Sequence, residues 1–142
     1  MKTFFTLLAA IFLMNTTSHA QSVKKPDPQH FWDTNIQAII TGDVDQVVSQ
    51  SNFPMSTFEG DWSKKSFVDA FDILFDKSSV EELKSQTYRD IQAVEDSPGV
   101  MIYRVVITTE MEIDGEIFES ATILSFKKFE GDWKLFNIDM AG

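Results

Sequence analysis

Alternation of apolar and polar residues dominates the second half of this sequence. Along 100–113 an apolar side chain recurs at almost every second position, which predicts a long β-strand with one buried face. Asp114-Gly115 follows, and this dipeptide favours the positive backbone angles of a two-residue hairpin turn. Further turns are predicted at 97–99 (Ser-Pro-Gly) and 130–132 (Glu-Gly-Asp), because each contains a glycine next to a proline or polar residues. The predicted strands are 87–95, 100–113, 116–129 and 133–140. This half of the chain is therefore expected to form a meander of antiparallel strands.

In the first half of the sequence, apolar residues recur at the spacing of an α-helix instead. Asp27-Pro28 predicts a helix start, with the aspartate as cap and the proline at the first helical position. Gly42 predicts the end of that helix, and Asp43 caps a short second one. A third helix is predicted to open at Ser63 or Lys64. Its apolar residues recur at the spacing of one helix face: Phe67, Ala70, Phe71, Leu74 and Phe75.

Two shorter segments complete the predicted secondary structure. The segment Asn52–Phe58 contains Phe53-Pro54 and predicts an extended edge strand, because proline has no N–H to donate to a ladder. Ser79 and Glu82 form a capping-box pattern, which predicts a short helical turn over 80–84. Helices grouped before strands are typical of the α+β class, in which helices pack against one face of an antiparallel sheet.

Residues 1–20 have the three-part pattern of a secretory signal peptide. Lys2 supplies the positive start, an apolar run covers 4–14, and Ser18-His19-Ala20 offers the small residues that signal peptidase recognises. The apolar run is shorter than the roughly 20 residues that span a bilayer. We therefore expect residues 1–20 to be removed. The product would be a single domain over 21–142, soluble in the periplasm or outside the cell.

Composition narrows the classes of partner and chemistry. The 142 residues include 22 acidic and 12 basic side chains, a net charge of −10, which argues against nucleic acid and anionic lipid as partners. The absence of cysteine excludes disulfides, thiolate metal ligands, a thiol nucleophile and the lipid anchor of a bacterial lipoprotein. Dinucleotide, phosphate-loop and serine-nucleophile motifs are also absent from the sequence. We therefore expect no cofactor and no membrane anchor.

Four stretches together indicate a family. They are the helix ending at Gly42-Asp43, the segment Asn52-Phe53-Pro54, the stretch from Trp62 to Phe75, and the hairpin from Phe126 to Leu135. Their order resembles the nuclear transport factor 2-like (NTF2-like) superfamily. The resemblance implies a cone in which a curved antiparallel sheet wraps around helices and leaves a pocket. It also implies that the sheet could form a homodimer, and similar domains occur in secreted bacterial proteins of unassigned role. These motifs are signatures of a fold and carry no chemistry.

Enzymes of this superfamily place a general base in the pocket, facing a tyrosine or an acidic donor. The resemblance offers Asp139 and Tyr103 as candidates for these two roles. A buried Asp139 would act as the base, and Tyr103 would donate to an oxyanion. The alternative is a core tyrosine and a solvated aspartate near the end of the chain. Since no His–Asp pair on facing strands supports catalysis, no catalytic residue is assigned.

Aromatic residues are abundant, with 13 phenylalanines and 3 tryptophans in the chain. A ligand pocket inside a cone would be lined mainly by such apolar side chains, with few polar groups. The candidate lining residues are Trp32, Phe71, Tyr103, Phe126 and Asp139. The alternative is that the aromatic members of this set form the hydrophobic core.

No metal site is expected. His30 has Asp27 and Asp33 one helical turn away, but acidic residues are ordinary at the start of a helix. The acidic residues over 110–116 do not match the calcium-loop template of alternating oxygen ligands. An exposed acidic strand face explains them more simply.

Together these features predict an exported, non-catalytic binding domain for a small apolar ligand or a protein partner. Two alternatives remain open. One is an acidic interaction or immunity-type protein that binds a basic partner, because an acidic surface steers a cationic one. The other is a cofactor-free isomerase or dehydratase that uses Asp139 and Tyr103.

Overall fold

The computed structural model describes residues 27–142. The helices are α1 (Pro28–Thr41), α2 (Val44–Ser49), α3 (Lys64–Leu74) and α4 (Lys77–Ser85), and a short 3-10 helix covers Tyr88–Asp90. The strands are β1 (Ser51–Thr57), β2 (Gly60–Trp62), β3 (Gln92–Ser97), β4 (Val100–Ile113), β5 (Glu116–Phe129) and β6 (Asp132–Ala141). The signal peptide predicted at 1–20 lies outside the described residues. The α+β class, with helices packed on a sheet, is confirmed.

The predicted helix boundaries follow from local capping. The Asp27 side chain accepts a hydrogen bond from the His30 backbone N–H at 2.7 Å, and Gly42 ends α1 in a left-handed conformation at φ 73°. Ser63 caps α3, as predicted. Helix α4 is longer than the predicted turn over 80–84. Asp76 rather than Ser79 caps it, by accepting from the Ser79 N–H, so the predicted capping box is wrong here.

The strands form a six-stranded sheet in the order β2-β1-β6-β5-β4-β3. Strands β3 to β6 form the predicted antiparallel meander. The turn residues Asp114 and Gly115 have φ values of 53° and 82°, as a tight hairpin requires. Strand β1 pairs parallel to β6, so the sheet is mixed and not purely antiparallel. A bulge between β5 and β6 at Ser125/Phe126 adds a bend to the sheet.

Strand β1 is not the edge strand that its proline predicted. It lies between β2 and β6. Pro54 is accommodated because the register of the β1–β6 pair shifts between Ser51 and Ser56, so the ladder needs no N–H from the proline. The predicted strand over 87–95 also starts later than expected, because Tyr88–Asp90 form the 3-10 helix.

The core lies between the helices and one face of the sheet. Phe67 of α3, Val105 and Ile107 of β4, and Leu124 of β5 are fully buried. Each large apolar side chain buried in this way stabilises the fold by about 1.5–3 kcal/mol. Within residues 27–142, no helix is long and apolar enough to cross a membrane.

Candidate functional site

Three of the five predicted pocket residues belong to the core. Trp32, Phe71 and Phe126 are all buried and belong to one cluster of packed side chains. The ring of Phe126 meets the edge of Phe31 at 5.2 Å between centroids, and Phe71 packs between Phe67 and Phe75. The Phe31–Phe126 contact holds α1 on the sheet, and Phe67 of α3 also packs against Phe53 of β1, with 5.7 Å between the ring centroids.

Tyr103 lies at the rim of the core. Its ring is half-buried and packs edge-on against Trp133 at 5.2 Å. Both rings line a cavity of about 380 Å³, together with Val100, Met101 and Lys128. Among the described residues, the buried Trp133 Nε1 has no hydrogen-bond partner. This cavity thus combines apolar walls with a few polar groups.

Asp139 lies on the face of the sheet that points away from the helices. Its neighbour Ile138 is fully buried, so the alternation of the strand points Asp139 away from the helices, and its side chain is exposed. It faces Ile123 across β5 and accepts a hydrogen bond from the Met140 N–H at 2.9 Å. A catalytic role would require a buried Asp139, and its exposed side chain does not provide that environment. The fold does not bring Asp139 and Tyr103 together.

The second tyrosine lies near the same rim. Partial burial raises the pKa of Tyr88 above its ordinary value, and the nearby Tyr103 and Asp27 add to this shift. The ring also packs edge-on against Trp32 at 6.2 Å. Tyr88 therefore titrates later than a solvent-exposed phenol.

The candidate metal ligands do not converge. His30 is exposed, and Asp27, one turn away, is engaged by the backbone N–H of His30 as the helix cap. Across residues 27–142, no three histidine, aspartate or glutamate side chains lie close enough together to hold a metal ion.

Four exposed large apolar side chains lie together at the far end of the β4–β5 hairpin. Every residue from 110 to 120 is exposed, and we call this segment the arm. Pairing of β3 with β4 ends at Arg104, and pairing of β6 with β5 ends at Ala121. The arm is therefore a two-stranded ribbon without a third strand among the described residues.

One face of the arm is apolar. Met111 lies directly opposite Phe118, and Ile113 is the next residue on the same face. Their exposed fractions are 62%, 49% and 48%. This face continues the one that carries the buried Val105 and Ile107 nearer the core. A face that is covered by helices near the core is thus uncovered along the arm.

The opposite face of the arm is acidic. Glu110 lies directly opposite Glu119, and Glu112 lies opposite the exposed Ile117. Within residues 27–142, the two ion pairs are Lys65–Asp69 and Lys84–Glu81, and neither involves these glutamates. Like charges directly opposite each other destabilise a strand pair. The arm is therefore amphipathic, with unpaired negative charge on one side.

Sequence reasoning identified the alternation of Met111 and Ile113 but did not predict that they are exposed. Strand length was the available signal. Each 14-residue strand, β4 or β5, spans about 48 Å. The longest described helix, α1, also has 14 residues but spans about 21 Å. Each helix is therefore less than half as long as β4 or β5, and no single helix can cover the whole hairpin.

Comparison with known proteins gives a likeness of fold. No protein-family model and no curated protein matches the chain. Among solved structures, the chain is similar to an NTF2-like protein of unknown function from Pseudomonas putida KT2440, with 6% identity over 78% of this chain and 80% of that chain, and a TM-score of 0.45. It is also similar to an NTF2-like protein of unknown function in nutrient uptake from Rhodospirillum rubrum, with 16% identity over 81% and 98% of the two chains and a TM-score of 0.45. An NTF2-like protein with a cystatin-like fold from Novosphingobium aromaticivorans matches at 9% identity, 80% and 77% coverage and a TM-score of 0.43. These neighbours are NTF2-like, the superfamily that the sequence resembles.

Proposed function

We propose that this chain is a non-catalytic binding domain whose arm docks a basic protein partner. The observation that carries the proposal is the joint presence of an exposed apolar face and an unpaired acidic face on one two-stranded arm. The exposed apolar side chains and the facing glutamates do not stabilise the fold, so stability does not explain their presence.

The apolar face supplies the attraction. Met111, Ile113 and Phe118 each leave about half or more of their surface in water. A partner that covers them gains roughly 25 cal/mol for each Å² of apolar surface removed from water. Aromatic residues and methionine are enriched in protein interfaces. Phe118 and Met111 are therefore the expected anchors.

The acidic face determines which class of partner the arm binds. Glu110, Glu112 and Glu119 repel a second acidic surface, and they attract a basic one over a distance of about 10 Å at moderate salt. Contact with lysine or arginine side chains would also relieve the repulsion between Glu110 and Glu119. The homodimer through the sheet that the resemblance implies stays a separate prediction.

Export is part of the proposal. The signal-peptide pattern over 1–20 supports secretion to the periplasm or the outside of the cell. The partner would then be an exported or surface protein rather than a cytoplasmic one.

A small apolar ligand is the second candidate. It is favoured by the 380 Å³ cavity that Tyr103 and Trp133 line together with Val100, Met101 and Lys128, because apolar walls there meet a few polar groups. An uncharged ligand with one carbonyl or hydroxyl group would fit this chemistry. Binding would quench the fluorescence of Trp133, and Tyr103→Ala would weaken binding. The isomerase or dehydratase alternative is not supported, because Asp139 is exposed on the opposite face.

Site-specific photo-crosslinking tests the arm. A photoreactive amino acid would replace Phe118 in cells that produce the protein, and the same amino acid at Ile73 of α3 would be the matched control. Ile73 is also an exposed apolar residue, at 82%, but it lies outside the arm. We expect a discrete crosslink to a basic protein at position 118, weakened in about 1 M salt, where the screening length falls to about 3 Å. Equal crosslinking at both positions, or a crosslink to an acidic protein, would contradict the proposal.

A further inference from the structure

Strand β4 has an open edge after Arg104, where its pairing with β3 ends. Its pairing with β3 ends at Gln92↔Arg104, so residues 105–113 have no strand on that side among the described residues. The Gln86 side-chain Nε2 donates to the Val106 carbonyl at 2.6 Å, which shows that the backbone of Val106 points toward this side. Backbone groups alternate along a strand. The N–H and C=O groups of Thr108, Glu110 and Glu112 therefore also point toward the open edge.

A groove runs along this edge between β4 and α4. Its main cavity, of about 990 Å³, is lined by Thr108, Thr109 and Glu110 on the strand and by Asp76, Glu81 and Glu82 on the helix side. A smaller cavity of about 340 Å³ continues it toward Val106. Open backbone groups on one wall of a groove are the arrangement to which an extended peptide adds as a further strand.

The groove is acidic. Four carboxylates line the main cavity, and Lys77 is the single basic residue among its described lining residues. The negative charge of Glu81 is partly neutralised by Lys84, whose Nζ lies 3.0 Å from Glu81 Oε1. The remaining carboxylates favour a peptide that carries lysine or arginine at alternate positions, because alternate side chains of an added strand face the same way.

We propose that an extended basic segment of a protein partner binds in this groove as an added strand along Val106–Glu112 of β4. The inference deepens the function proposed above, on which it rests, because it states how a basic partner would be held. The added strand would accept hydrogen bonds from the N–H groups of Thr108, Glu110 and Glu112 and would donate its own N–H groups to their carbonyl oxygens. Its basic side chains on one face would lie near the carboxylates of α4.

A synthetic peptide tests the groove without the natural partner. The probe is an acetylated octapeptide of alternating lysine and valine, titrated into the isotope-labelled protein at low salt. We expect saturable binding, and slower hydrogen exchange at the amides of Thr108, Glu110 and Glu112. The amides of Thr109 and Met111, which point toward β5, serve as internal controls and should change little. Binding without protection of the even-numbered amides would overturn the proposal, as would the absence of saturable binding.

Two variants of the experiment separate strand addition from charge attraction. The same peptide N-methylated at every amide keeps its charges but cannot donate hydrogen bonds, and we expect it to bind roughly tenfold or more weakly. Glu110→Pro removes one edge donor and one charge, whereas Glu110→Thr removes the charge alone, so Glu110→Pro should bind more weakly than Glu110→Thr. Equal affinities for both peptides would overturn the proposal whether or not Glu110→Pro folds.

Failure of the groove proposal can be distinguished from failure of the proposal that the arm docks a partner. Phe118 does not line the groove, so Phe118→Ser should leave octapeptide binding unchanged while it reduces binding of the protein partner. Edge protection by the peptide together with no crosslink at position 118 would retain the groove and reject docking on the apolar face.

Discussion

Glu110 and Glu119 face each other across the β4–β5 hairpin, and no basic side chain among the described residues pairs with either. Opposite charges stabilise directly facing strand residues, whereas like charges destabilise them. The repulsion is small, but it coincides with the exposed Met111 and Phe118 on the reverse face. The arm thus keeps two features that reduce its own stability and that a basic, partly apolar partner would relieve.

Glu119→Lys should stabilise the free protein by about 0.2–1 kcal/mol, because it converts a like-charge pair into an opposite one. Urea unfolding at low salt measures this change. Glu116→Lys is the matched control, since Glu116 is on the same strand but faces Ile113. The prediction fails if both variants gain the same stability, because the gain would then come from net charge alone.

Two phenylalanines on the same face of β5 should differ strongly in their effect on stability. Phe126 is 2% exposed and packs on Phe31, so Phe126→Ala should lower the free energy of unfolding by about 3–5 kcal/mol. Phe118 is 49% exposed, and Phe118→Ala should cost less than about 1 kcal/mol. Chemical denaturation of the two variants checks the difference. A large loss at position 118 would show that the arm contributes to the core.

A buried amide network should prove important for folding. Asn35 is fully buried, and its Nδ2 donates to Gln50 Oε1 at 3.1 Å, while Gln50 Nε2 donates to Thr34 Oγ1 at 3.0 Å. Gln50→Ala leaves the Asn35 amide without this acceptor and should cost about 1–3 kcal/mol. Gln37→Ala on the exposed side of α1 is the control and should be nearly neutral. Equal stabilities would contradict the structure of this network.

Tyr88 should titrate at alkaline pH, above the value of about 10 typical of a free phenol. Burial is the largest cause of the raised pKa, so the shift should persist in Tyr103→Phe, where Tyr88 is the remaining tyrosine. Ultraviolet absorbance of the phenolate measures it. Because the folded-state pKa lies above the unfolded one, Tyr88 contributes stability below pH 10 that is lost as pH rises through its folded pKa. A midpoint at or below 10 would contradict the partial burial of this ring.

Local chemistry in the sequence predicted the parts of the fold that depend on neighbouring residues. Asp27, Gly42 and Ser63 set helix ends through hydrogen bonds and backbone angles within a few residues, and Asp114-Gly115 sets the hairpin in the same way. The placement of β1 depends on its pairing with β6, far along the chain, so its proline alone gave the wrong edge assignment.

The candidate site was predicted less well, because periodicity shows which side chains share a face but not what covers that face. Met111 and Val105 have the same place in the alternation of β4, yet Val105 is buried and Met111 is 62% exposed. For Asp139, the buried Ile138 beside it was the usable signal, since neighbours in a strand point to opposite faces.

Chemical-shift mapping of the isotope-labelled protein with its crosslinked partner, once purified, tests the central claim most directly. If the arm is the docking surface, the backbone amides of residues 110–120 should show the largest chemical-shift changes on addition of the partner. Smaller changes should follow along the rest of the groove strand, residues 106–109. All of these changes should become smaller at high salt. Shifts confined to Val100, Met101, Tyr103 and Lys128 around the small cavity, with an unchanged arm, would contradict it.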